Sequence, residues 1–223
     1  LAWMQADTEA AFHLTFFLVE LIGKDEAGEI NEEEAHLLRL LTSLAKLTTG
    51  KQSVAVTSEV LEAFGGAGYV EDTGLPVLLR DSQVLPIWEG TTNVLSLDAL
   101  RALGKSGEPV VALSQAVDRT VQMAEDGRLI AAGKVAKTAV AHAMHWLQTN
   151  LANRNSLEAG ARRFALTLGR ALALAKLIEQ AQWSLAVEQD GRSRAAACRF
   201  AQTPIDLIAD IDLADAAALA DDL

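Results

Sequence analysis

Apolar residues recur at intervals of three and four along most of the chain, which is the spacing of one face of an α-helix. Residues 1–22 form the first segment of this kind and predict a helix. The glycine-bounded residues 23–28 that follow predict a turn. The apolar stripe of this first helix consists of Trp3, Phe12, Phe16, Val19 and Ile22.

A second, long helix is predicted from residue 31 to residue 64. Asn31 is a typical N-cap residue, and the three glutamates that follow it lie in the first turn, where the helix dipole favours negative charge. Gly50 marks a position at which this helix could bend. Its apolar stripe consists of Leu37, Leu40, Leu41, Leu44 and Leu47.

The next region combines loops with short apolar segments. Residues 65–76 contain four glycines in twelve residues and predict a loop. A short segment, residues 77–86, leads to the sequence Trp-Glu-Gly-Thr-Thr-Asn at residues 88–93, after which a helix is predicted to about Leu103. A helix start needs a cap but not a glutamate between a tryptophan and a glycine, so helix capping alone does not explain this sequence.

Residues 104–109, Gly-Lys-Ser-Gly-Glu-Pro, are typical of a linker and divide the chain into residues 1–103 and 110–223. Three further helices are predicted at 110–126, 129–151 and 156–189. No strand pattern is evident along the chain. The sequence therefore predicts an all-α fold in which one helical bundle is followed by a second helical domain.

The end of the chain carries two further predictions. Thr203 and Pro204 predict the cap and first residue of a final helix that runs to Leu213, followed by a tail that frays. The long apolar stripe of residues 156–189 needs a partner surface, so we expect a homo-oligomer, either a dimer or a tetramer. That stripe contains Phe164, Leu168, Leu172 and Ala175.

Composition and charge narrow the class of protein. The chain has a formal net charge of −11, and residues 1–103 hold 6 basic against 16 acidic residues. Nucleic-acid binding is not expected, because contact with phosphates needs a positive field. A single cysteine excludes a disulfide framework and fits a reducing cytoplasm. No apolar run approaches the length of a membrane span, and the start at Leu1, already within a helical pattern, indicates a piece of a longer protein.

Two segments taken together resemble the C-terminal helical domain of the acyl-CoA dehydrogenase family. They are EVLEAFGGAGYVED, residues 59–72, and LLRDSQVLPIWEGTTNVLSLDALRAL, residues 78–103. That family has a Gly-Gly-x-Gly-[Tyr/Phe] loop, then Arg-Asp, then Tyr/Trp-Glu-Gly-Thr at about this spacing. The residues of the second segment are more similar to the branch with bacterial alkylation-response flavoproteins than to the short-chain fatty-acid enzymes. That branch carries an extra helical domain. The N-terminal and middle domains of the family are absent from this sequence.

The resemblance implies α,β-dehydrogenation of an acyl-CoA thioester by an FAD-dependent enzyme, with an electron-transfer flavoprotein as partner. Glu89 corresponds to the base that removes the α-proton, a task that needs a carboxylate in a dry pocket. Trp88 and Gly90 would bind substrate, because the ring excludes water and the glycine lets the backbone approach closely. Two alternatives stay open: Glu89 simply favours the helix N-terminus, or the base lies on an earlier helix of the family that this chain lacks.

The same resemblance assigns two residues at the start of the helix after the motif, and a glycine loop, to FAD. Thr91 corresponds to a threonine whose hydroxyl contacts the flavin, and Asn93 stands where the commoner branches have a glutamine with the same role. Gly65 and Gly66, with Gly68, match the loop that approaches the adenosine pyrophosphate of the neighbouring subunit's cofactor. The alternatives are a plain N-cap for Thr91 and a helix C-cap for the glycines.

Other polar residues suggest no second chemistry. His142 and His145 have i, i+3 spacing but no further ligand motif, so no metal site is expected. Cys198 fits a small core residue, and Arg80-Asp81 fits a structural ion pair. Two alternative functions remain: a stress-response flavoprotein module of the alkylation-response type with little dehydrogenase activity, or a structural, oligomer-forming helical bundle. We expect the isolated chain to bind no FAD tightly and to be inactive.

Overall fold

The computed structural model describes residues 1–104 and 107–220, and these residues contain no strand. The all-α prediction is therefore confirmed for the described ranges. The helices are α1 Ala2–Glu26, α2 Glu32–Ala63, α3 Leu75–Ser82, α4 Thr92–Ala102, α5 Glu108–Gln122, α6 Gly127–Asn150, α7 Arg154–Trp183, α8 Arg192–Phe200 and α9 Leu213–Ala220.

Helix α1 is longer than the sequence pattern predicts. It passes through Gly23 and ends at Glu26, so the turn expected at residues 23–28 is confined to the last of them. Lys24 explains the extension, because its ammonium lies 3.0 Å from Glu20 in α1 and 2.8 Å from Glu34 in α2. These carboxylates raise the pKa of Lys24, and Lys24 in turn lowers the pKa of Glu34.

The predicted apolar stripe of α1 is largely not its buried face. Phe12, Phe16 and Val19 are each more than half exposed. The face that packs into the core consists instead of Ala6, Ala10, Leu14 and Leu21. Small residues allow close approach of neighbouring helices, and α1 uses them against α2, α7 and α8.

Helix α2 matches its prediction. Asn31 and Glu34 form a capping box, in which the Glu34 N–H donates to Asn31 Oδ1 at 2.9 Å and the Asn31 N–H donates to Glu34 Oε2 at 3.2 Å. The predicted leucine stripe of this helix is buried throughout. The helix continues past Gly50 to Ala63 and forms the long axis on which the candidate site is built.

The three helices predicted after residue 109 are present as α5, α6 and α7, with ends shifted by a few residues. Helix α7 passes into a π-helical turn at Ser184–Glu188 and is followed by α8, which the sequence pattern did not predict. The apolar stripe of α7 is fully buried within this same chain. It therefore supplies no surface for the oligomer that it had suggested.

The predicted final helix from Thr203 to Leu213 is wrong. Residues 203–212 contain no helix, and they lie across α7 as a strap. Arg170 donates to the Pro204 carbonyl at 2.9 Å and to Thr203 Oγ1 at 2.7 Å, and the Leu207 N–H donates to Thr167 Oγ1 at 2.9 Å. Side chains of α7 thus take the hydrogen bonds that a helix would make within itself. Helix α9 occupies part of the tail expected to fray, of which residues 221–223 lie outside the described residues.

Buried side chains from both sides of residues 104–109 form one hydrophobic cluster. Helix α7 contacts α1, α2 and α4 as well as α5, α6 and α8. The division into residues 1–103 and 110–223 stays a prediction, and residues 105 and 106 of its linker lie outside the described residues.

None of the helices in the described ranges is both long and apolar enough to cross a membrane.

Candidate functional site

The turn between α3 and α4 adopts an unusual backbone. The N–H groups of Ile87 and Trp88 both donate to the Val84 carbonyl, at 2.9 and 3.0 Å. Glu89 then has φ = 52° and Gly90 has φ = 112°. A left-handed conformation costs a residue with a side chain roughly 1–2 kcal/mol, so something outside the turn must hold Glu89 in this state.

Lys46, in the middle of α2, contacts this turn directly. Its ammonium donates to three backbone carbonyls, those of Leu85 at 2.7 Å, Trp88 at 2.6 Å and Gly90 at 2.9 Å. No sequence motif predicts a role for this residue. The available signal was a lone lysine within the leucine-rich part of α2.

A cavity of about 460 Å³ lies between α1, α2 and the turn, and Trp88 and Glu89 form part of its wall. Most of its lining is apolar. The hydroxyls of Thr8, Thr49 and Thr57 donate to carbonyls of their own helices, so their O–H donors are already used. The cavity therefore suits an aliphatic group more than a polar one.

One polar pair interrupts this apolar lining. Asp7 is 3% exposed and Gln52 is 5% exposed, and the Gln52 amide donates to Asp7 Oδ1 at 3.0 Å. Asp7 Oδ2 and Gln52 Oε1 have no hydrogen-bond partner among the described residues. Buried acceptors without partners are costly, so water or a ligand with N–H or O–H groups is the expected occupant at this point.

Trp88 is 53% exposed, and Glu89 is exposed as well. The described residues therefore do not form the dry pocket that proton abstraction needs, although both residues line the cavity. The catalytic assignment of Glu89 and the substrate-binding assignment of Trp88 and Gly90 stay predictions. Packing also explains why residue 90 is a glycine, because a Cβ there would lie 2.9 Å from the Leu95 side chain.

Thr91 and Asn93 lie at the exposed N-terminus of α4. Thr91 is the N-cap residue by position, but its side chain makes no capping hydrogen bond. The hydroxyl and the first N–H groups of the helix are thus open to a ligand, and a helix N-terminus favours a polar or anionic oxygen. The predicted flavin contacts are untested, but nothing in the described residues occupies their place.

The glycine loop divides into open and packed positions. A Cβ built on Gly65 or Gly66 would meet no atom within 4 Å, and Gly65 has φ = 57°. A Cβ on Gly68 would lie 2.0 Å from the Leu61 carbonyl oxygen, so Gly68 is required for packing. Lys46 and Ala63 are about 26 Å apart along α2 at 1.5 Å per residue, which separates the glycine loop from Glu89.

The remaining candidates have local partners. Arg80 pairs with Glu71 at 3.4 Å and not with Asp81, so the expected ion pair has a different acid. His142 Nδ1 lies 2.6 Å from Asp206 Oδ2 in the strap, and Cys198 is half-buried. No group of three or more potential metal ligands occurs within the described part of the chain.

Comparison with known proteins identifies relatives of both parts of the chain. Residues 1–104 match the family model "Acyl-CoA dehydrogenase, C-terminal domain", and residues 109–220 match "Acyl-CoA dehydrogenase 11 C-terminal domain-like". Acyl-CoA dehydrogenase family member 11 of Caenorhabditis elegans is 42% identical over 199 residues, which cover 85% of this chain and 32% of that protein. The putative acyl-CoA dehydrogenase AidB of Escherichia coli is 40% identical over 84 residues, or 38% of this chain and 16% of that protein.

A solved structure shows the same fold. The crystal structure of Caenorhabditis elegans ACDH-11 in complex with C11-CoA has a TM-score of 0.84 and 34% sequence identity, and the match covers 97% of this chain. It covers 37% of that chain. The chain thus spans about a third of the length of this relative.

Proposed function

Because the chain belongs to the acyl-CoA dehydrogenase family, we propose that it is the C-terminal part of an FAD-dependent acyl-CoA dehydrogenase in which Glu89 removes the α-proton of the thioester. The observation that carries the proposal is the position of Glu89, in a strained and firmly held turn at the wall of a mostly apolar cavity. Strained residues that the surroundings hold in place are concentrated at functional sites.

The cavity supports an acyl substrate. Its volume of about 460 Å³ falls within the range of roughly 300–1,000 Å³ that is typical of small-molecule sites. Each methylene buried there contributes about 0.8 kcal/mol to binding, so affinity should rise with chain length until the cavity is filled. The structure of ACDH-11 with C11-CoA shows that a relative of this fold binds an acyl-CoA.

The described residues also fit FAD. Thr91 and Asn93 present an unused hydroxyl, a side-chain amide and free helix N–H groups, and Gly65 and Gly66 present backbone that no side chain covers. When bound, FAD supplies the acceptor for the hydride that leaves the β-carbon. The residues of this chain would orient it and hold the carboxylate that takes the proton.

The complete protein needs more than this chain provides. Since Trp88 and Glu89 are exposed here, the dry site must be completed by segments outside residues 1–223 or by another subunit. The proposed partners are an acyl-CoA, an electron-transfer flavoprotein and further copies of the chain. The isolated chain is expected to be colourless after purification, and a stoichiometric yellow flavin complex would contradict this part of the proposal.

The test uses the complete protein that contains this sequence. Wild type is mixed anaerobically with acyl-CoAs of increasing chain length, and flavin bleaching is followed at its visible absorbance. Glu89→Gln keeps the shape of the side chain but removes the base, so bleaching should slow by about 100- to 10,000-fold with the flavin still bound. Glu29→Gln, an exposed glutamate between α1 and α2, is the control and should behave as wild type.

Each result of this experiment separates the proposal from its alternatives. Loss of bleaching in Glu89→Gln alone supports Glu89 as the base. Equal rates in wild type and Glu89→Gln place the base elsewhere in the protein. A wild type that binds FAD but bleaches with no acyl-CoA excludes the dehydrogenase and leaves the stress-response or structural module.

A further inference from the structure

All the N–H donors of the Lys46 ammonium are bound to the turn between α3 and α4. A lysine ammonium has three N–H groups, and here each has its own backbone carbonyl within 2.9 Å, on Leu85, Trp88 and Gly90. No carboxylate of the described residues lies within ion-pair distance of Lys46. Its positive charge is therefore committed to the backbone around Glu89, and charge-assisted hydrogen bonds of this kind are the strong ones.

Among the described residues, no group other than Lys46 donates to these three carbonyls. None of them accepts an N–H from the backbone in the described ranges, because the N–H groups of the turn donate instead to the carbonyls of Leu79, Asp81, Ser82 and Val84. The Trp88 carbonyl belongs to the peptide bond between Trp88 and Glu89, and the Gly90 carbonyl belongs to the residue that follows Glu89. Lys46 therefore holds the backbone on both sides of Glu89, and without it these carbonyls would depend on water.

Helix α2 provides the space for this contact as well as the charge. Gly50 lies one helical turn after Lys46, and a Cβ there would be 3.4 Å from the carbonyl carbon of Leu85 and 3.5 Å from the nitrogen of Pro86. The turn thus lies directly on the backbone of α2, with the lysine at one end of the contact. This arrangement explains how Glu89 keeps a left-handed conformation in an otherwise exposed turn.

We propose that Lys46 is the positioning residue for Glu89, because it fixes the backbone of the turn that places Glu89 at the wall of the cavity. The inference rests on the proposed function, since a positioned carboxylate matters only if it takes a proton. Lys46 also lines the cavity, but its three N–H donors are bound to the turn, so it is given no polar contact with substrate. The rate of proton abstraction then depends on a side chain that is 43 positions away in the sequence.

The first experiment measures whether Lys46 orders the turn, and it uses this chain without any catalysis. Lys46→Met keeps the length of the side chain and removes its donors. Hydrogen exchange at the amides of Ile87 and Trp88 should then accelerate by about tenfold or more, while the core amides of α2 are unchanged. Lys46→Arg retains donors and should restore most of the protection. Lys51→Met, the same change on the same helix outside this contact, is the control.

The second experiment measures positioning in the complete protein. In Lys46→Met the limiting rate of flavin bleaching should fall on the order of 100-fold, as expected for a reacting group displaced by about 1 Å. The acyl-CoA concentration that gives half of this rate should change by less than about threefold, and flavin content should not change. Lys46→Arg should recover at least part of the rate. A lysine with only a structural role would change stability or flavin content. It would not lower the limiting rate while leaving the half-saturating acyl-CoA concentration nearly unchanged.

The outcomes distinguish the inference from the proposed function. If the complete wild type reduces no flavin with any acyl-CoA, the proposed function fails and the exchange experiment still decides whether Lys46 orders the turn. Unchanged hydrogen exchange in Lys46→Met would mean that Lys46 does not order the turn. Faster exchange with an unchanged bleaching rate overturns the positioning role. If Lys46→Met does not fold, Lys46→Ala, which also removes the donors and favours a helix, replaces it in both experiments.

Discussion

Glu89 has a left-handed backbone that its side chain disfavours, and this makes a stability prediction that is independent of catalysis. Glycine adopts φ = 52° without strain, whereas alanine does not. We expect Glu89→Gly to be more stable than Glu89→Ala by about 1 kcal/mol, measured as the free energy of unfolding in urea. Gln189, with φ = 57°, should show the same order.

The matched control for this prediction is Glu59, an exposed residue within α2, about one turn before the helix ends at Ala63. There glycine should be less stable than alanine by about 1 kcal/mol, because the position is helical. Alanine equal to or better than glycine at residue 89 would mean that the turn is not held in the left-handed state.

At the level of single residues, the sequence indicates which residues belong to the candidate site better than it indicates which residues contact them. The Trp-Glu-Gly-Thr motif could be found from residue types and spacing, and the structure brings Trp88 and Glu89 to one cavity. The role of Lys46 could not be found in this way, because its three acceptors lie 39 to 44 residues further along the chain. Backbone carbonyls carry no sequence signal, so a side chain that binds them has no motif.

At the level of helices, the contact of α4 with α2 makes a pH prediction. Asp98 of α4 lies 3.1 Å from each of two Arg39 nitrogens and accepts a hydrogen bond from Ser43 at 2.6 Å. The Arg39 guanidinium, and then the Ser43 hydroxyl, lower the pKa of the Asp98 carboxyl. A carboxyl with a lowered pKa in the folded state stabilises the fold above its unfolded pKa of about 4. That contribution is lost as the pH falls through the lowered value.

We therefore expect Asp98→Asn to be less stable than wild type at pH 7 and the difference to shrink below about pH 4. Arg39 is about half exposed, so solvent screens the pair and the difference at pH 7 should be no more than about 1 kcal/mol. Thermal unfolding from pH 7 to pH 2 measures it. Asp118→Asn, in an ion pair with Lys137 for which no comparable network exists in the described residues, serves as the comparison. A gap that grows on acidification would contradict the prediction.

The helices show where periodicity is sufficient and where it is not. For α2, a cap and a leucine stripe fixed both the start and the buried face, because bulky aliphatic side chains on one face have no alternative to the core. For α1 the same spacing marked the helix but not its buried face, since alanines such as Ala6 and Ala10 pack closely while Phe12 and Phe16 remain exposed. The strap after Thr203 was missed because Arg170, 33 residues earlier, holds it.

At the level of the whole molecule, the two segments on either side of the predicted linker share a core, and α7 carries that contact. Gly169 of α7 lies against α2, where a Cβ would be 2.1 Å from Thr48 Oγ1 and 3.4 Å from the Leu44 carbonyl oxygen. The site has no room to expand, because Thr48 and the surrounding side chains are buried. Added volume in a packed core costs about 1–3 kcal/mol.

Gly169→Ala is therefore expected to lower the free energy of unfolding by about 1–3 kcal/mol, whereas Gly23→Ala should raise it by up to ~1 kcal/mol, because Gly23 is helical and a Cβ there meets nothing within 4 Å. The location of the loss is the sharper test. If α2 and α7 belong to one cooperative unit, hydrogen-exchange protection in Gly169→Ala should fall together in residues 1–104 and 107–220. Loss confined to the second segment would mean that residues 104–109 separate two units that fold independently, with α7 only resting on the first.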